Sequence, residues 1–348
     1  MTIAKSVAAL GLAALALMPL SACGNWGGSK ADATVESVGN MDALVNAAKK
    51  EGSVTLYSSS VEAIDSAEAK AFQAKYGITV NIIKIGSGEL AARYQTEASA
   101  GNVQADVIAS TCSDAPTFKA IVDKGWATPA KDLGLPALSG AGASALAVDG
   151  VTFKYVLMPV AIGYNTAMLK GADVPKDWTA LGDPKYRGKI VFVDPDTSGP
   201  FYWTFLQWLD NTYGDDLVRA VGAQQLSYAD VTTARNQLGA GQYAVDIPTF
   251  KVSMNSTAAT GAPVAAAVMP KTTANESCIG VSGPKAPHPN AAKLYANFMT
   301  TPEGAAAINS VDGVLSPFGG ASASMGNPDP FPTSYDENHL RGLLGKRK

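Results

Sequence analysis

Ser53-Val54-Thr55-Leu56-Tyr57 is a short β-rich run closed by the triplet Ser58-Ser59-Ser60. An amphipathic stretch follows it, with Ile64, Ala67, Ala71, Phe72 and Tyr76 on about one face. The pattern predicts a strand, a polar loop and a helix, with the serines where strand passes into helix. The unit recurs. Ile78 to Ile85 reads as a strand, Gly86-Ser87-Gly88-Glu89 as a turn, and the residues through Arg93 to Ala100 as a helix. Ala105 to Ala109 then reads as a buried strand, Ser110-Thr111-Cys112-Ser113-Asp114 as a polar turn, and Thr117 to Lys124 as a helix. Three such units in succession predict an α/β fold built on a mostly parallel sheet, its polar loops gathered at the carboxyl ends of the strands. Free amides and the positive dipole ends of helices converge at that edge, which makes it the natural place for a ligand, above all an anion.

The Gly- and Ala-rich segment Leu133 to Gly150 separates this block from Val151 to Asn165 (VTFKYVLMPVAIGYN), an apolar strand-like run that crosses to a second lobe. There Lys189 to Val193 reads as a strand, Asp194 to Gly199 as a polar turn, and Pro200 to Tyr213 as an aromatic-rich helix with Pro at its first position. Asp230 reads as the N-cap of a helix over Val231 to Gly239, and Tyr243 to Ile247 as a further strand. Val264 to Val268 and Cys278 to Ser282 are strands leading back towards lobe one, and Asn290 to Thr300 and Pro302 to Ser310 are helices. The expected organisation is lobe one over residues 41–150, lobe two over 151–272, a return to lobe one over 273–316, and a C-terminal tail over 317–348 packing on the lobes.

A chain of 348 residues is long enough for about two domains with real cores. Its 27 Lys plus Arg against 30 Asp plus Glu give a formal net charge of −3, with no basic block before the last four residues. Nucleic-acid binding is not expected, because it needs clustered cations to displace phosphate counterions. Two His and three Cys cannot build zinc-finger or His-rich metal sites, so no metal or cofactor is expected. Chemistry must come from hydroxyls, amides, carboxylates or aromatics.

The N-terminus reads as an address. Lys5 precedes the apolar run Val7 to Leu20, too short to be a comfortable spanning helix, and the run ends in Leu20-Ser21-Ala22-Cys23. This looks like a bacterial lipobox, so 1–22 is expected to be a lipoprotein signal peptide and Cys23 the acylated first residue, anchored on the outer face of the cell membrane. Residues 23–40, rich in Gly, Ser and Ala, read as a flexible tether.

Several segments together resemble one family, the extracellular solute-binding proteins of bacterial ABC importers, in the subgroup that includes ferric-ion-binding proteins and their phosphonate- and sugar-phosphate-binding relatives. They are LYSSSVEAI (56–64), GSGELAARYQTEA (86–98), ADVIAST (105–111), VAIGYNTAML (160–169), DWTALGDPKYRGKIVFVDPDTSG (177–199) and GPKAPHPNAAKLYANFMTTPEG (283–304). The resemblance implies a two-lobed type II periplasmic-binding fold joined by hinge strands, a cleft that closes on one small ligand, an ABC permease as partner, a monomer, and no catalysis.

The loops expected to face the cleft carry Ser58 and Ser59, Ser87 and Gly88, Thr111, and the turn Thr197-Ser198-Gly199. In relatives the equivalent Thr-Ser-Gly turn binds an oxyanion, so Ser198 is the leading candidate; taken alone, each hydroxyl reads equally as a plain N-cap. Tyr164, Tyr202 and Trp203 are candidates for the cleft walls, with core packing as the other reading. Asp230 could pair with an ammonium on a zwitterionic ligand, or simply cap its helix. Ferric-binding relatives place paired tyrosines where this chain has Ile247-Pro248-Thr249-Phe250, which supplies no phenolates for Fe³⁺. The expected ligand is therefore a small anionic or zwitterionic solute such as a phosphonate, phosphate ester or carboxylate, with ferric iron or a ferric complex as the alternative. A lipid-anchored hydrolase is a third reading, but His288 lies between two prolines and His339 in the charged tail. Cys112 and Cys278 fall close enough in the expected topology for a disulfide, which mass measurement with and without reductant tests.

Overall fold

The computed structural model describes residues 35–319 and 328–345. Cys23, the leader and most of the tether lie outside the described residues, as does the middle of the C-terminal tail. Among the described residues eleven strands are present: β1 Ser53–Ser58, β2 Thr79–Lys84, β3 Val107–Thr111, β4 Ala127–Thr128, β5 Leu146–Ala147, β6 Thr152–Asn165, β7 Ile190–Val193, β8 Ser227–Ala229, β9 Val245–Phe250, β10 Val264–Val268 and β11 Ala274–Ser282. They hydrogen-bond in the order β2-β1-β3-β11-β6-β9-β7-β8, with β4 on β11 and both β5 and β10 on β6.

β1 runs parallel to β2 and β3, as the repeated strand-loop-helix units require, and β7 runs parallel to β8 and β9. The joining strands β6 and β11 are antiparallel to their neighbours, so the parallel character belongs to the outer three strands of each lobe. β6 is the shared member. Its first half pairs with β11, from Phe153 to Pro159, and its second half with β9 and β10, from Val160 to Asn165. Along it Phe153, Tyr155, Val156 and Met158 enter the core of lobe one, whereas Val160 and Ile162 enter the core of lobe two. The crossing thus falls inside β6 rather than at Val151.

Local sequence explains most boundaries. The first described helix, Met41–Glu51, starts at Asn40, whose Oδ1 accepts from Ala43 N at 3.3 Å, and stops at Gly52 with φ 80°, a conformation that favours glycine. Helix Pro200–Tyr213 buries Trp203, Phe205, Leu206, Trp208 and Leu209 in the second core. The tail closes over that helix: Phe331 stacks on Phe201 at 5.1 Å, Arg341 lies over Trp203 at 4.5 Å, and Leu340, Leu343 and Leu344 of helix Glu337–Leu344 join the same core. The helices Asp215–Gly222 and Lys251–Ala258, and the tail helix, were not anticipated from the sequence. Among the described residues no helix is long and apolar enough to cross a membrane.

Candidate functional site

Between the lobes lies a cavity of about 220 Å³ at the carboxyl ends of β1, β3 and β7. Lobe one lines it with Ser59, Ser60, Thr111, Met158, Asn275 and Ser277; lobe two adds Val193, Tyr202, Arg235, Asp246, Thr249 and Ser253.

The lobe-one wall is a run of hydroxyls and amides held in register by β3 and β11. Ser277 pairs with Thr111, and Thr111 Oγ1 donates to Asn275 Oδ1 at 3.1 Å. Directly behind, Cys112 and Cys278 form a disulfide with Cα atoms 5.0 Å apart, fastening the loop after β3 to β11. Ser59 Oγ lies 2.9 Å from Ser110 Oγ, which donates to Asp114 Oδ2 at 2.5 Å. Ser60 Oγ is buried with no hydrogen-bond partner.

The lobe-two wall carries the charge. Asp246, on β9, is 2% exposed, and its Oδ1 has no hydrogen-bond partner. Burial pushes its carboxyl up to about 7, with Arg235 opposing the shift. Arg235, on helix Val231–Gly239, has its Nε buried and likewise unpartnered. Burial, with the Asp246 carboxylate nearby, raises the Tyr202 phenol well above its ordinary range, so Tyr202 faces the cavity as a neutral phenol.

The expected site residues divide. Ser59, Thr111 and Tyr202 line the cavity. Ser58 is fully buried and donates to Asp65 Oδ1 at 2.7 Å; Asp65 in turn is ion-paired to Lys84, so this serine is committed to the interior of lobe one. Ser87 and Gly88 open helix Ser87–Ser99. Thr197, Ser198 and Gly199 end the short helix Pro195–Ser198 beside the cavity rather than in its lining, with Ser198 Oγ buried and unpartnered. Tyr164, paired between Val245 and Ala265 at the far end of β6, packs on the second core, and Trp203 is buried there too. Asp230 is an N-cap: Oδ2 accepts from Thr233 Oγ1 at 2.6 Å and Oδ1 from Thr233 N at 3.0 Å and Thr232 N at 2.9 Å, bonds that hold its carboxyl below the usual range.

Arg235, Asp246, Ser60, Thr249, Asn275 and Ser277 were missed. Asp246 did leave a signal, since a carboxylate inside the apolar run Ala244-Val245-Asp246-Ile247 is costly to bury unless it has a use. Arg235 left a weaker one, as the only charged residue of its helix.

The structure also gathers a Ser-His-Asp line that sequence reasoning discounted. Ser53 Oγ lies 3.3 Å from His288 Nε2, and His288 Nδ1 lies 2.8 Å from Asp106 Oδ2. Asp106 additionally accepts from Thr55 N and His288 N, both at 2.7 Å, so it ties β1 to the start of helix Pro289–Met299. Ser53 opens β1 and Ser59 follows its end, which puts this trio about 20 Å from the cleft by the rise of an extended strand. Asp210, Asp215 and His339 cluster within 4.8 Å where the tail helix meets lobe two, His339 Nε2 lying 3.4 and 3.3 Å from the two carboxylates.

A family model for bacterial extracellular solute-binding proteins matches residues 67–333. A curated but uncharacterised protein of Haemophilus influenzae is 27% identical over 203 residues, 56% of this chain, and the match spans 58% of that protein's length. Among solved structures, the substrate-binding protein of an ABC transporter from Agrobacterium tumefaciens superposes with TM-score 0.61 at 20% identity, covering 84% of this chain and 93% of that one. Iron-bound HitA from Pseudomonas aeruginosa gives 0.56 at 22%, covering 84% and 98%. The fructose-6-phosphate-bound binding protein AfuA from Actinobacillus pleuropneumoniae gives 0.55 at 20%, covering 84% and 93%. At these identities the likeness is one of fold, the type II periplasmic-binding architecture. With the matched model spanning most of the folded chain, the protein belongs to the bacterial extracellular solute-binding family.

Proposed function

We propose that this protein is the receptor of an ABC importer and holds a small anionic or zwitterionic solute between its lobes. The observation that carries the reading is the buried, unpartnered Arg235 Nε, in a cleft whose other lining residues include hydroxyls, an amide, apolar side chains and the single carboxylate Asp246. With that Nε shielded from water, the guanidinium gains most from an oxyanion, which it bonds through charge-assisted hydrogen bonds. Ser60, whose hydroxyl has no partner, supplies a further donor from the opposite wall, beside the hydroxyls of Ser59 and Thr111. A cavity of about 220 Å³ suits a small molecule. A solute touching both walls favours the closed arrangement by its differential contacts, and the closed form is what a permease receives. The lipid on Cys23 and the tether would keep the receptor at the outer face of the membrane beside that permease, acting as a monomer.

The ferric reading has weaker support. Tyr202 is the one tyrosine among the lining residues, and its surroundings oppose the phenolate that Fe³⁺ prefers. Hydrolysis at Ser53 lacks a cleft shared with the ligand walls, and members of this family bind solutes rather than transform them.

A thermal-shift screen of phosphonates, phosphate esters, carboxylates, polyamines and ferric complexes tests the reading, because a ligand that binds only the folded protein raises its melting temperature by mass action. Small oxyanions should raise it, and Arg235→Gln should abolish the rise. A rise confined to ferric complexes or polyamines would overturn the reading.

A further inference from the structure

Asp246 is hard to explain as a structural residue. The comparably buried Asp106 spends both oxygens on two backbone amides and a histidine, and Asp65 is bonded to Ser58 and Lys84. Asp246 lines the cleft at 2% exposure with Oδ1 unpartnered. Keeping a carboxylate charged there is costly, and the nearby Arg235 offsets only part of that cost, so a cation entering the cavity is the partner that would complete it. The backbone also leaves it little freedom. β9 is bonded on both sides, Asp246 pairing with Gly163 of β6 and Val191 of β7. On the β6 side a Cβ at Gly163 would lie 3.1 Å from Thr249 Cγ2 and 3.2 Å from Met254 Sδ, so the glycine lets β6 pass close to β9 beside Asp246.

We propose that Asp246 is the specificity-determining residue for a cationic centre on the ligand, so that the solute carries an ammonium group as well as its oxyanion. This rests on the receptor reading above. Arg235 and Asp246 present one positive and one negative charge to the same small cavity. A simple anion satisfies the first while placing its charge near the second. A zwitterion satisfies both, and buries one negative charge fewer than the matching simple anion when the lobes meet. The role first considered for Asp230 therefore passes to Asp246, since Asp230 spends its oxygens on capping its own helix.

The test uses isosteric probe pairs that differ in the ammonium alone: 2-aminoethylphosphonate against propylphosphonate, and phosphoethanolamine against propyl phosphate, titrated calorimetrically into the purified protein at pH 8. In at least one pair the ammonium member should bind tenfold or more tightly than its partner. Asp246→Asn, which preserves shape, should reduce that preference to threefold or less while the variant still unfolds cooperatively. Equal binding of both members to the native protein overturns the proposal and leaves the receptor reading standing. An equal loss for both members in Asp246→Asn also overturns it, because that is the signature of a structural role. If no probe of either kind binds, the anion-receptor reading falls and the proposal with it.

Discussion

Asp246 Oδ1 and Arg235 Nε, one on a central strand and the other on the helix Val231–Gly239, are both buried in the wall of the same cavity, and neither has a hydrogen-bond partner. A folded protein rarely leaves two such groups unsatisfied in one place without a ligand to complete them.

The arginine is expected to dominate anion affinity. A hydrogen bond involving a charged group contributes roughly 1.5 to 3 kcal/mol, so Arg235→Gln should weaken binding of any oxyanion identified by screening about ten- to a hundredfold. Isothermal titration measures this directly; an affinity within twofold of the native protein would remove Arg235 from the site.

The carboxylate has a signature in the ligand-free protein. The Asp246 carboxyl sits at about 7 in the folded state, against 3.8 when unperturbed. Between those values the folded chain holds a proton that the unfolded chain has released, so stability falls as pH rises through this window. Asp246→Asn removes this residue's share of the dependence, leaving that of other raised carboxyls such as Glu68 and Asp65 common to both proteins. The variant should therefore melt higher than the native protein at pH 8, and its advantage should shrink towards pH 5. A difference in melting temperature that is constant across this range would contradict the burial of the charge.

Cys112 and Cys278 lie 166 residues apart in sequence, so their bond closes a large part of the chain. Replacing both with Ser should cost about 2 to 4 kcal/mol in urea unfolding, and reduction of the native protein should add two hydrogens to its intact mass. No mass change on reduction would show two free thiols.

Ser198 separates the turn-based expectation from the observed cavity. Its Oγ is buried without a partner and stands outside the lining. Ser198→Ala removes an unsatisfied polar atom, so stability should hold or rise by about 1 kcal/mol, with affinity unchanged. A tenfold loss of affinity would restore the Thr197-Ser198-Gly199 turn to the site.

These expectations mark how far sequence reading reached. The helices Pro200–Tyr213 and Val231–Gly239 and the strand Val264–Val268 were legible to the residue, because Pro, Asp and apolar periodicity act within one or two turns of chain. Ser59, Thr111 and Tyr202 were legible as cavity candidates because polar loops at strand ends converge in any sheet of this kind. Ser58, expected beside Ser59 in the cleft, instead turns inward to Asp65 while its neighbour faces the cavity, because side chains alternate along an extended chain.

Local chemistry was enough to determine the class of fold, the order of its elements, and the edge at which a ligand would sit, since strands, caps and turns are decided by residues close in sequence. Which side chains meet at that edge depended on contacts between distant segments. Asp246 and Asn275 approach Ser59 and Thr111 only because β6 passes from one lobe to the other and β11 returns beside β3. Register and burial, set by packing rather than by any local motif, turned an unremarked aspartate and arginine into the charged wall of the cleft.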